Sequence, residues 1–74
     1  MGQAAFRIGI VGVGRMGANM ARRLHDLKYQ VVAVYDTEAS RAETVANELG
    51  CKAVPTPAQV AELATTILTV VPDD

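Results

Sequence analysis

From Ile8 to Met20 the chain reads IGIVGVGRMGANM, an apolar β-branched run that breaks into three glycines spaced G-x-G-x-x-G and then passes straight into helix-forming residues. No other feature limits the possible folds as tightly. A chain reverses from strand to helix this sharply where side chains are missing, and each absence has its own steric reason. Gly12 turns the backbone, Gly14 removes a Cβ that would collide with an approaching pyrophosphate, and Gly17 lets the helix pack closely. The helix N-terminus then presents unpaired N–H groups and partial positive charge, a setting for phosphate oxygens. Glycine clusters also mark ordinary turns, so the surroundings must decide.

Those surroundings alternate strand and helix. Phe6 to Val11 and Val31 to Tyr35 are short runs almost without polar alternation, as in central strands of a parallel sheet buried on both faces. Between them Met16, Met20, Leu24 and Leu27 recur at helical spacing, with Arg15, Asn19, Arg22, Arg23 and Asp26 opposite. This makes Met16 a core contact. A second helix is marked by a capping box at Ser40 and Glu43, an apolar stripe of Ala42, Val45, Ala46 and Leu49, and Gly50 as its stop. Lys52 to Val54 can form a brief strand. Thr56-Pro57-Ala58-Gln59 then supplies a cap, a first-turn proline and a capping-box glutamine for a short helix continued by Val60, Leu63 and Ala64. Thr66 to Val71 is again β-branched, and Pro72 ends it. The order β-α-β-α-β-α-β predicts a doubly wound α/β domain with a parallel sheet. Right-handed crossovers give strand order 3-2-1-4, with a ligand crevice at the carboxyl ends of the first and fourth strands.

Asp36 ends the second strand, close to the roughly 20 residues beyond the glycines at which a ribose-binding acid is expected. Its carboxylate can accept from the adenosine ribose hydroxyls and would repel a 2′-phosphate, so NAD is expected and NADP is the lesser candidate. Such an acid could instead cap the following helix. Ser40 already offers a cap, which favours the binding role. Arg41 is close enough in sequence to soften the preference, or is a solvated helix charge. The backbone N–H of Arg15, inside the glycine loop, would face the pyrophosphate. The Arg15 side chain reaches either a phosphate or solvent. Val71, Pro72 and Asp73 leave the fourth strand beside the crevice, where their backbone could line the nicotinamide-side ribose or simply form the exit from strand to loop. His25 suits the negative end of its helix, not general-base work. Neither catalytic nor metal-ligating residues stand out.

Seven Lys and Arg against eight Asp and Glu leave a formal net charge of −1, which gives no electrostatic footprint for nucleic acid. The one cysteine, Cys51, excludes an intrachain disulfide framework and reads as a small buried hydrophobe in a reducing compartment. Apolar runs fall far short of the ~18 residues that cross a bilayer, so a cytoplasmic protein without membrane contact is expected. At 74 residues the chain has a thin core, and its open sheet edges predict association, such as a homo-oligomer.

At GVGRMGANMARRL the sequence resembles the β-hydroxyacid dehydrogenases, whose opening motif has the form G-x-G-x-M-G followed by small residues, an Asn and a Leu. Gly12, Gly14, Met16, Gly17, Asn19 and Leu24 match that pattern, and TVVPDD is similar to the family's loop after the fourth strand. The resemblance implies the N-terminal part of a dinucleotide-binding Rossmann domain over residues 1–74. Gly12 to Gly17 would hold the pyrophosphate, Asp36 the ribose, and Val71 and Pro72 the middle of the cofactor. Several members carry Asn-Arg where this chain has Asp36-Thr37 and use NADP, which again points to NAD. It further implies an oxidoreductase acting on a small 3-hydroxyacid, as in 3-hydroxyisobutyrate dehydrogenase, or a 6-phosphogluconate dehydrogenase-like enzyme. The family's Ser-Gly-Gly segment, catalytic Lys and helical domain lie further along its chains, so these residues are expected to be a cofactor-binding portion. A non-catalytic dinucleotide module, or a binder of S-adenosylmethionine, are the rival readings.

Overall fold

A computed structural model describes residues 7–70. Seven elements follow one another: β1 (Arg7–Val11), α1 (Arg15–Asp26), β2 (Gln30–Tyr35), α2 (Ala39–Leu49), β3 (Lys52–Ala53), α3 (Pro57–Leu63) and β4 (Thr66–Thr69). The strands form one parallel sheet in the order β3-β2-β1-β4, as the sequence predicts. The expected first strand includes Phe6, which lies outside the described residues, as does the expected end of the fourth at Val71.

Central position explains the composition of β1 and β2. Ile8, Ile10, Val31 and Val34 are buried with Val13, Ala18 and Ala21 and with Ala42, Val45 and Ala46, so α1 and α2 cover one face. Gly9 belongs to the other. A Cβ there would run into the Val60 side chain of α3, and Val60 is fully buried. The two crossovers toward β3 and the one back to β4 step in opposite directions, and right-handed connections therefore place their helices on opposite faces. A register shift between Ile8 and Gly9, paired with Val31 and Ala33, leaves Val32 as an extra residue in β2.

Two expectations about helix faces need correction. The apolar stripe expected on α1 is displaced: Gly17, Ala18 and Ala21 are buried, while Met16 is 57% exposed and Leu27 48%. Small side chains let the helix approach the sheet, leaving long ones at its ends unburied. Met16 is therefore not a core contact. Nor does Ser40 cap α2, which begins one residue earlier, with Glu38 in the capping position and no side-chain cap. By contrast Thr56 caps α3 as expected, its Oγ1 accepting from the Gln59 N–H at 3.2 Å. Gly50 ends α2 at φ 74°, and its N–H donates to the Ala46 carbonyl.

Candidate functional site

The glycine loop crosses the carboxyl ends of β1 and β4, where the strand order reverses. Gly12 has φ 97°, a left-handed conformation that side chains resist, and a Cβ on it would strike the Val70 carbonyl oxygen. Its N–H donates to the Tyr35 carbonyl at 2.7 Å, carrying the β1–β2 ladder one step into the turn. Gly17 is blocked differently: its Cβ would meet the Gly12 carbonyl oxygen, so the first turn of α1 rests directly on the bend before it. Gly14 is the open position. Among the described residues, its chain neighbours aside, the one atom within 4 Å of the point where its Cβ would stand is Nη1 of Arg41, at 3.8 Å.

Gly14 also occupies the capping position of α1 and brings no side-chain cap, and the first turn holds no acidic residue. The N–H groups of Arg15, Met16 and Gly17, which a helix leaves without intrahelical partners, thus keep their positive end uncompensated. Arg15 and Met16 are both exposed. Val13 takes a different part from its neighbours. Its side chain is buried, and its N–H donates to Oδ2 of Asp36 at 2.9 Å, so it has no N–H left for a ligand.

Asp36 ties this loop to the turn before α2. Oδ1 accepts from the Glu38 N–H at 2.9 Å and from the Thr37 hydroxyl at 3.2 Å, while Oδ2 accepts from Val13 alone. A carboxylate offers about four lone-pair sites, so the remaining capacity lies on Oδ2, the oxygen beside the glycine loop. One further donor can be accepted there directly; a second requires the Thr37 hydroxyl to rotate away from Oδ1. Burial pushes this carboxyl up. The hydrogen bonds from Glu38, Val13 and Thr37, with the Arg41 charge, outweigh that and hold it below the ordinary aspartate value. Asp36 is thus an anion that braces the turn before α2 and keeps acceptor capacity on Oδ2; it does not cap α2, whose capping position is held by Glu38.

Glu38 was not singled out by its sequence context, yet Arg41 Nη2 lies 3.1 Å from its Oε1. The available signal was the Asp36-Thr37-Glu38 run itself, since an aspartate commonly accepts from the N–H two residues on. Val71, Pro72 and Asp73 lie outside the described residues. Cys51 is partly buried, and burial pushes its thiol up. Among the described residues no helix is long and apolar enough to cross a membrane.

Comparison with known proteins gives a consistent result. Residues 7–74 match the family described as the NAD binding domain of 6-phosphogluconate dehydrogenase. A UDP-N-acetylglucosamine 3-dehydrogenase from Acidithiobacillus ferrooxidans is 43% identical over 53 residues, spanning 66% of this chain and 15% of that protein. A solved structure of that dehydrogenase superposes with a TM-score of 0.83 at 33% identity, over 90% of this chain and 22% of the other. An imine reductase from Pseudomonas sp., at 22% identity and a TM-score of 0.75, covers 86% of this chain and 22% of its own, and shares the fold. The chain therefore spans less than a quarter of the length of these relatives.

Proposed function

Because this chain belongs to the family of NAD-binding domains of 6-phosphogluconate dehydrogenase, shared by the β-hydroxyacid dehydrogenases, we propose that it forms the cofactor-holding part of an NAD-linked dehydrogenase acting on an alcohol group. The observation that carries this is the combination at one sheet end of an uncapped helix start, an open Gly14 and an ionised Asp36 with acceptor capacity facing the loop. When bound, the nicotinamide supplies the hydride-accepting carbon, C4.

The residues of this chain bind and orient. Arg15, Met16 and Gly17 N–H groups receive the pyrophosphate oxygens, as does the Arg15 side chain where it turns inward. Gly14 lets the diphosphate lie against bare backbone. Asp36 Oδ2 accepts from an adenosine ribose hydroxyl, and the negative charge of Asp36 would repel a 2′-phosphate there, which supports NAD over NADP. Val71 and Pro72 are assigned to the middle of the cofactor by their place after β4.

For the substrate we favour a small 3-hydroxyacid of the kind handled by 3-hydroxyisobutyrate dehydrogenase, on the strength of the G-x-G-x-M-G motif with Asn19 and Leu24. A second reading, a sugar hydroxyl, is supported by the 43% identity to a UDP-N-acetylglucosamine 3-dehydrogenase. Calorimetric titration of the folded chain with NADH, NADPH and S-adenosylmethionine tests the proposal. NADH is expected to bind most tightly; tighter S-adenosylmethionine binding, or no NADH heat, overturns it.

A further inference from the structure

Asp36 is not the only charge at the ribose end of the loop. Glu38 precedes α2 and Arg41 lies in its first turn, and the two pair at 3.1 Å with both side chains more than half exposed. Arg41 is also the residue whose Nη1 approaches the open face of Gly14, so its guanidinium lies between the Asp36 turn and the glycine loop. Two carboxylates and one guanidinium meet where a ribose 2′ substituent would sit, leaving one net negative charge.

A guanidinium is a planar fork that grips phosphate through paired N–H donors. Here that fork is engaged by a carboxylate. Exposed ion pairs of this kind are weak, so the pairing restrains Arg41 without burying it. We propose that Arg41 is a latent binding residue for a ribose 2′-phosphate and that Glu38 masks it, making the Glu38–Arg41 pair a determinant of the preference for NAD over NADP. This deepens the cofactor reading above and rests on it. Asp36 repels a 2′-phosphate directly. Glu38 acts twice, by adding a second negative charge and by occupying the donors that would otherwise receive the phosphate oxygens.

The test uses the full chain and its variants Glu38→Gln, Arg41→Ala and the double variant, titrated with NADH and NADPH. The Glu38 side chain makes no capping hydrogen bond, so the amide leaves the start of α2 intact. Glu38→Gln is expected to raise NADPH affinity relative to NADH by about two- to fivefold, the size an exposed charge of this kind supports. In the Arg41→Ala background Glu38→Gln is expected to raise the ratio by less than it does in the parent, since only the relief of charge repulsion remains, and Arg41→Ala alone moves the ratio further toward NADH. A ratio unaffected by Glu38→Gln, or a gain as large without Arg41 as with it, overturns the inference while leaving the cofactor reading in place. Failure of the unaltered chain to bind NADH overturns both.

Discussion

Gly12 and Gly14 look alike in the sequence and are constrained by different things. At Gly12 both the φ of 97° and the Val70 carbonyl exclude a side chain, so Gly12→Ala is expected to cost about 1–3 kcal/mol of stability, read by urea denaturation. At Gly14 the space is open and φ is −63°. Gly14→Val should therefore cost about 1 kcal/mol or less at this capping position, yet abolish NADH binding in calorimetry. Loss of binding together with loss of fold would defeat that separation. Asp36 carries both kinds of duty. Asp36→Ala strips Val13, Glu38 and Thr37 of their acceptor and is expected to cost about 1–2 kcal/mol after allowing for solvent. Its folded pKa is lowered, so its contribution is fully present above the ordinary aspartate value and is lost as pH falls through the folded value. Denaturation midpoints measured below about pH 4 should fall less steeply in Asp36→Ala than in the parent.

Helix ends separate what could be read from the sequence and what could not. Gly50 stops α2 in a left-handed conformation, and the Thr56-Pro57-Ala58-Gln59 run starts α3, both as local sequence rules require. The end of α1 follows the same geometry without the marker. Lys28 takes φ 74°, and Lys28 and Tyr29 donate to the His25 and Leu24 carbonyls. Lys28→Gly is accordingly expected to raise stability by about 0.5–1 kcal/mol, seen as a higher melting temperature; no gain would mean that the lysine conformation costs little here. The start of α2 was misassigned to Ser40 because a capping box describes a local option, whereas Asp36 fixes the preceding turn through a contact 23 residues back at Val13. Periodicity likewise identifies the helix at α1 and puts Leu24 against the core, but it overweights Met16 and Leu27 and overlooks Gly17, Ala18 and Ala21.

Across the whole molecule, strand order and layering were readable because connection handedness leaves few topologies for this element order. What escaped was the side-chain geometry between elements, such as Val60 seated on Gly9 and the Arg22–Glu48 pair joining α1 to α2. Val60→Ala removes two methyl groups from a fully buried site and is expected to cost about 2 kcal/mol by denaturation. Sheet position also orders local stability. Ile10, Ala33 and Val34 lie in central strands and are fully buried, whereas β4 pairs with β1 and leaves Ile67 41% exposed. Amide hydrogen exchange should be slowest in β1 and β2 and faster in β4; uniform protection would contradict this. The tie from Asp36 to Val13 reaches furthest in time, because the loop is already held in shape before any nucleotide arrives. Uptake should then proceed as a single kinetic phase whose rate climbs in proportion to ligand concentration, with no plateau of the kind a slow ordering step imposes.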